Sequence, residues 1–422
     1  MEKLLINNFA GLQSVELEIR PVTGLIGPEA SGKSVIAKLL YFFREIASRL
    51  PTAVLEGQEG PQYKAECCKR FSRYFPIENT FVPDFEITYL SKQEKVSITF
   101  APRDGAIEAN LRLEWSSLYD AVLEKFAPRR KELPTLKDDS SEFTEGLFAL
   151  REEVKSDLKG ALGAWATYEP IFIPAGRAFF SQVQNTVFTQ FAEGESPDPF
   201  MAAFGSLLER SGSLLESIGF FEKAEFDNVR SVVERILRAQ LRRVRKQYFL
   251  EFADGRHVKL AQASSGQQEC LPLLVLLAQF VLFRRAAGRA VYIEEPEAHL
   301  FPSTQKLIME LMAQAFRARK GKIRIVLTTH SPYILTSVNN LLQAGKLYAT
   351  ASGKEARRLS RIIPRTRTFN PGEVGFYALQ DGKARSILDD ETGLIDADVI
   401  DQVSNDIAIQ FDELLAEGNE KS

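Results

Sequence analysis

Apolar and polar positions follow two periods along this chain. Near the start, Leu4-Leu5-Ile6 and Val15-Glu16-Leu17-Glu18-Ile19 read as short strands, the second alternating strictly. Val22 to Ile26 is a further strand, and Ser34 to Ile46 places its apolar residues at helical spacing. Phe85 to Tyr89 and Val96 to Phe100 alternate on either side of a polar turn, the pattern of a hairpin. From Leu111 to Thr167 the spacing predicts charge-rich helix, broken at Lys137 to Ser141. Ile171-Phe172-Ile173 is a buried strand running into Pro174-Ala175-Gly176-Arg177, and a loop rich in Gly, Pro and acid follows at Ala192 to Pro199. Residues 200–246 again read as helix.

Asp254-Gly255 between Tyr248–Phe252 and His257–Leu260 marks a second hairpin. Leu271 to Phe283 is apolar almost all round, the mark of a buried helix. A strand at Ala290–Ile293, a helix at Ser303–Arg317 and a strand at Ile323–Thr328 then alternate, which implies parallel pairing with right-handed crossovers. The expected layout is an α/β domain from two sequence-distant lobes, 1–105 and 246–345. A mainly helical insertion, 106–245, carries one strand near 171–174, and an α/β extension occupies 346–422.

Composition narrows this only slightly. The chain has 422 residues, 45% hydrophobic and 26% charged, as in ordinary soluble globular proteins. Its net charge of −3 neither favours nor disfavours nucleic acid as a whole. Three cysteines, two adjacent at Cys67-Cys68, suit neither a disulfide framework nor a metal site, so reduced thiols in a cytoplasmic protein are expected. The first residues lack a signal peptide's arrangement, and the longest apolar run, Cys270 to Phe283, is shorter than the ~20 residues of a membrane span, so no membrane partner is expected.

Chemistry concentrates in five stretches. Gly27-Pro28-Glu29-Ala30-Ser31-Gly32-Lys33-Ser34 lies between a strand and a helix, where glycines let backbone N–H groups converge on phosphate and the helix N-terminus adds its dipole. Lys33 can reach the β- and γ-phosphates of ATP, and the Ser34 hydroxyl can ligate Mg²⁺. Val291-Tyr292-Ile293-Glu294-Glu295 ends an apolar strand in two carboxylates that point to opposite faces and so need different jobs. Glu294 is placed to hold Mg²⁺ and Glu295 to polarise the attacking water. His330, in Thr328-Thr329-His330-Ser331-Pro332, ends the next strand, where it can donate to a γ-phosphate oxygen; His257 and His299 read as hairpin and helix-entry residues. Ser264-Ser265-Gly266-Gln267-Gln268 is, by itself, an ordinary helix cap. One nucleotide does not need two phosphate cradles, so Ser265 and Gly266 are expected to serve ATP held by another protomer.

The order of these motifs, with the wording IEEPEAHLFP and TTHSPYIL, resembles the ABC-type ATPases and within them the SMC, RecF and OLD-like branch. The resemblance spans both lobes, roughly half the chain, and the segment GLIDADVIDQVSNDI. It implies an ABC-type P-loop ATPase head from two lobes, with Gly27 to Ser34 as Walker A, Ser265 and Gly266 as the signature, Glu294-Glu295 as Walker B, Pro296 to Pro302 as the D-loop region and His330 as the switch histidine. Departures are Glu294 where most of the family has Asp, Gln267 for the second signature glycine, and Glu29-Ala30 where Asn-Gly is usual. Gln182 and Gln184 are the candidates for a glutamine loop. Arg177 resembles a recurring arginine of the group, as a sensor of nucleotide or partner or as a structural ion pair.

The resemblance further implies an ATPase acting as a homodimer that clamps DNA or an effector, a nuclease or toxin encoded nearby, in phage defence or DNA repair. Arg235, Arg238, Arg242 and Arg245 are expected on one helical face, as a phosphate-tracking stripe or a solvated surface. Arg357, Arg358, Arg361, Arg365 and Arg367 form a second basic group with the same two readings. An ATP-dependent nuclease would need the acidic Asp389-Asp390-Glu391, Asp396 and Asp398, whose setting reads as helical and solvated. A scaffold that binds ATP with little turnover is the other alternative.

Overall fold

The computed structural model describes residues 2–76, 84–91, 94–101, 110–132, 141–182, 198–212, 223–244, 247–283, 287–396 and 409–411. Its strands are β1 Glu2–Phe9, β2 Leu12–Ile19, β3 Val22–Ile26, β4 Phe85–Ser91, β5 Glu94–Phe100, β6 Leu111–Trp115 and β7 Glu169–Ile173. They continue with β8 Gln240–Val244, β9 Gln247–Glu251, β10 His257–Lys259, β11 Arg289–Glu294, β12 Ile323–Thr329, β13 Val374–Gln380 and β14 Lys383–Ser386. The helices are α1 Lys33–Leu55, α2 Gly60–Tyr74, α3 Leu118–Glu132, α4 Ser141–Leu162, α5 Ala178–Gln182 and α6 Pro199–Gly212. After them come α7 Lys223–Leu237, α8 Ser265–Leu282, α9 Pro302–Ala318, α10 Pro332–Thr350 and α11 Gly353–Ile362.

Eleven strands form one sheet in the order β6-β5-β4-β1-β2-β14-β13-β3-β12-β11-β7. The side from β6 to β2 pairs antiparallel, whereas β13, β3, β12, β11 and β7 run parallel. Period-two alternation explains why both faces are covered. On β11, Ala290 and Tyr292 belong to the same apolar cluster as α1, α2 and α4, while Val291 and Ile293 belong to the one formed by α8, α9 and α10. Such strands read as unbroken apolar runs because neither face meets water. A separate antiparallel sheet, β10-β9-β8, lies beside the larger one in chain order.

Register lines up the ends of the parallel strands. Glu294 pairs with Thr328 and Thr329 with Ile26, so β3, β12 and β11 finish side by side. Ile293 pairs with Ile173, which brings the end of β7 into the same row. The C-terminal edge of a parallel sheet is where α/β folds bind ligands.

Three stretches differ from the sequence expectation. Leu111–Trp115 is a strand, since Leu-Arg-Leu-Glu-Trp pairs along β5 and continues the sheet. Helix does not run through 200–246: α7 stops at Leu237, Arg238 takes φ 53°, and Gln240–Val244 pairs with β9. The acidic segment is not helical either; Asp389 closes a turn through Thr392, and Leu388 bridges Ile395. Segments 106–245 and 346–422 also give strands to the large sheet, β6 and β7 from the first and β13 and β14 from the second. No helix among the described residues is long and apolar enough to cross a membrane.

Candidate functional site

The phosphate loop grows out of β3 and is closed by its own lysine. Gly32, at φ 93°, caps α1, and a Cβ there would stand 2.6 Å from Leu12 Cδ2, so only glycine fits. Lys33 is buried, and its Nζ donates to the carbonyls of Gly27 (2.8 Å) and Pro28 (2.6 Å) and approaches Ser31 Oγ at 3.3 Å. Burial holds this ammonium below the usual lysine range. Pro28, Glu29 and Ala30 are exposed, Ala30 at φ 57°, and the Ser34 hydroxyl sits on the exposed side of the first helical turn.

Three motifs meet at His330. Its Nδ1 lies 3.4 Å from Lys33 Nζ and 3.9 Å from Glu29 Oε1, and its Nε2 lies 3.1 Å from Glu295 Oε1. A neutral imidazole satisfies the two short contacts when Nδ1 accepts from the lysine and Nε2–H donates to the carboxylate. Glu295, one residue beyond β11, takes φ 41°, a left-handed conformation a non-glycine residue adopts at a cost of about 1–3 kcal/mol. Its N–H donates to the Thr328 carbonyl at 3.0 Å.

Glu294 is buried, accepts at Oε2 from the Ala175 N–H (3.2 Å), and has no partner at Oε1 among the described residues. A buried carboxylate oxygen without a donor suits a cation. Together with the Ser34 hydroxyl and the phosphate loop, this donor set fits Mg²⁺ and a nucleoside triphosphate.

Two functional residues escaped sequence reading. Glu297, third acid of Glu-Glu-Pro-Glu, is buried and accepts at Oε1 from Thr329 Oγ1 (2.6 Å) and His330 N (2.7 Å), fixing the backbone that carries His330. Burial raises its pKa. Glu269, in the first turns of α8, accepts from the N–H groups of Arg177 (2.9 Å) and Ala178 (2.7 Å). Arg177 is fully buried. It donates to the carbonyls of Glu269, Pro174, Glu294 and Glu295 at 2.7–3.1 Å and pairs with Glu269 at 3.2 Å. The only hint of Glu269 in the sequence is its place four residues after Ser265.

Ser264 caps α8 in a capping box with Gln267, whose side chain also donates to the Leu237 carbonyl at 2.7 Å. That second task accounts for glutamine at this position. Ser265 is exposed, and a Cβ on Gly266 would stand 2.6 Å from the His299 carbonyl oxygen. His299 lies in the 296–299 turn at φ 60°, ahead of α9 rather than opening it, and His257 is exposed on β10 near Glu251. A cleft of about 370 Å³ runs along Arg238, Ser264, Gly266, His299 and Phe301.

The arginine stripe is not one helical face. Arg235 lies in the last turn of α7, Arg238 lines the cleft beside Gly266, Arg242 lies on β8 paired with Glu251 at 3.0 Å, and Arg245 lies outside the described residues. Of the second basic group, Arg367 is tied to Glu310 at 3.0 Å. Gln184 and Asp398 lie outside the described residues, and of Gln182 only the backbone, ending α5, is described. Among the described residues no three His, Cys, Asp or Glu side chains gather as a metal site. Burial pushes the Cys270 thiol up to about 12, which removes it as a nucleophile.

A family model described as "AAA domain, putative AbiEii toxin, Type IV TA system" matches residues 22–336. No curated protein matches the sequence. Among solved structures the chain is similar to the SMC head domain from Thermotoga maritima, at 10% identity over 91% of this chain and 97% of that one, with a TM-score of 0.37. The Smc head domain with an extended coiled coil bound to the C-terminal domain of ScpA, from Pyrococcus furiosus, matches at 12% identity over 92% and 96%, with a TM-score of 0.37. A dimeric ATP-binding cassette in a post-hydrolysis state bound to ADP and Pi matches at 13% identity over 92% and 97%, with a TM-score of 0.29.

Proposed function

Because this chain belongs to that AAA-domain family of P-loop ATPases, we propose that it binds and hydrolyses Mg²⁺-ATP in a dimer whose nucleotides are each shared between two protomers. The observation that carries the reading is the contact chain Lys33–His330–Glu295, which joins phosphate loop, switch and strand-end carboxylate at one sheet edge. Lys33, now on loop carbonyls, turns to the β- and γ-phosphates, and the loop N–H groups cradle them. Ser34 and Glu294 would hold Mg²⁺, which when bound would supply positive charge against the phosphoryl oxygens. Glu295 takes the proton of the attacking water, and His330 orients it while facing the γ-phosphate. Ser265 and Gly266 open α8 on an exposed surface and serve the partner's nucleotide.

The closed dimer clamps a client, DNA or a nuclease or toxin effector, in phage defence or repair; the toxin–antitoxin wording of the family favours an effector protein. Glu295→Gln is expected to trap an ATP-bound dimer by light scattering, and Lys33→Ala to abolish nucleotide binding. A Glu295→Gln protein that stays monomeric with saturating ATP refutes the shared site. Pull-down with the trapped form identifies the client.

A further inference from the structure

The contacts of Arg177 reach further than an ion pair requires. Four guanidinium N–H donors are engaged, Nε on the Glu269 carbonyl, Nη1 on those of Pro174 and Glu294, and Nη2 on the Glu295 carbonyl, and Nη2 also lies 3.2 Å from Glu269 Oε1 as an ion pair. Arg177 is 0% and Glu269 1% exposed, so neither group can exchange these partners for water. The fork therefore grips the peptides around Glu295 on one side and the first turns of α8 on the other. Glu269 stands three residues after Gly266, on the helix whose N-terminus carries Ser265. Glu295 holds a left-handed backbone, which persists only while its surroundings enforce it. Gly266, packed against the His299 carbonyl, presses on the same turn from a second point.

We propose that Arg177 and Glu269 are positioning residues forming a relay: engagement of one protomer's Ser265-Gly266 by its partner's nucleotide shifts α8, and the arginine fork carries that shift to the backbone of its own Glu295. The proposal rests on the shared-site dimer and adds a consequence. Each protomer's catalytic carboxylate is set by the nucleotide it grips for its partner, so the two ATP sites fire together. A buried pair that merely held the fold would not need to aim at the two carbonyls flanking the water-activating residue.

The experiment compares wild type, Glu269→Gln and Arg177→Lys. The relay predicts a kcat lowered about 30-fold, a Hill coefficient falling from above ~1.5 to ~1, and nucleotide loading changed less than about 2-fold. Amide hydrogen exchange gives a readout without turnover. In the Glu295→Gln background, ATP should slow exchange at 291–297 about 10-fold, and adding Glu269→Gln should remove that slowing while light scattering still shows the dimer. Exposed Ser265 supplies a test that leaves the core intact. When wild type is doped with Ser265→Ala, and mixed dimers are confirmed by capture of a tag, the relay makes activity fall with the square of the wild-type fraction. A linear fall, or unchanged exchange and cooperativity in both relay variants, overturns the relay alone. A Glu295→Gln protein that never dimerises overturns the shared site and the relay together.

Discussion

Carboxylates show how differently the two halves of the sheet are finished. In the antiparallel half, Glu2 on β1 has both oxygens taken: Oε2 by Arg44 (2.6 Å) and Tyr89 (2.5 Å), Oε1 by Arg324 (2.6 Å). At the other end of β1 the rings of Phe9, Phe71, Phe75 and Phe85 pack together, with centroids 4.7–6.0 Å apart. In the parallel half, Glu294 and Glu297 are also buried, yet each keeps one oxygen without a partner among the described residues. Left-handed backbone occurs in both halves, at Asn8 and Ala10 where β1 turns into β2 as well as around the site. Ala30, Glu295 and His299 hold left-handed conformations around the site, and Glu295 and His299 bound the turn that follows β11. The antiparallel half thus answers Glu2 in full, although Glu94 on β5 also keeps an oxygen without a partner among the described residues. The capacity left open at Glu294 lies at the C-terminal sheet edge, where a cation would fill it.

The comparison predicts that function and stability separate by half. Lys33→Ala should have the largest effect: nucleotide affinity falls at least ~1,000-fold, about 4 kcal/mol, while melting stays near that of wild type. A fluorescent-nucleotide titration beside a thermal melt checks this, and a protein that still binds would place the phosphates elsewhere. Phe71→Ala should do the reverse. Phe71 is fully buried against four phenylalanines, and its loss should cost about 3–5 kcal/mol in urea unfolding with nucleotide affinity unchanged.

What the sequence reveals of each half differs for physical reasons. The strand ends at Ile26, Glu294 and Thr329 are legible because doubly covered strands need unbroken apolar runs, and phosphate loops need glycine at fixed spacing. Leu111–Trp115 and Gln240–Val244 are not legible, since each becomes strand only through pairing with a partner. The same holds for β13 and β14, which enter the sheet between β3 and β2 although they lie far along the chain. Glu269, Glu297 and the true partners of Arg177 are invisible for a related reason. Their roles are tertiary hydrogen bonds, and nothing in local spacing marks a carboxylate that will meet a backbone over 90 residues away.

A smaller effect probes the seam between α8 and the turn. Gly266→Ala puts a methyl 2.6 Å from the His299 carbonyl, a backbone atom that cannot swing aside. The expected cost is about 1–3 kcal/mol of stability, with ATP-driven dimerisation weakened about 10-fold and nucleotide loading of the phosphate loop unchanged. Sedimentation with and without ATP reads this directly, and equal dimerisation would detach the signature from the turn.

The smallest effect, a difference in pH response, tests the contrast between carboxylates most directly. At Glu2, burial alone would raise the pKa, but the charges of Arg44 and Arg324 and the Tyr89 hydroxyl outweigh it, so the carboxyl titrates below its ordinary 4.5. Its folded value is depressed, so the stability it contributes is complete above the unfolded value and lost as pH falls through the folded one. The melting gap between wild type and Glu2→Gln should therefore be widest near neutrality and close in acid below about pH 4. Glu297 has the opposite sign. Burial raises its pKa above 4.5, so its favourable contribution is complete below the unfolded value and lost as pH rises through the folded one. Relative to Glu297→Gln, wild type should lose melting temperature as pH climbs from 4 toward 7, a range about the ordinary carboxylate value. Parallel pH trends for the two variants would mean that both carboxylates sit in equally satisfied surroundings, and the contrast between Glu2 and Glu297 would fail.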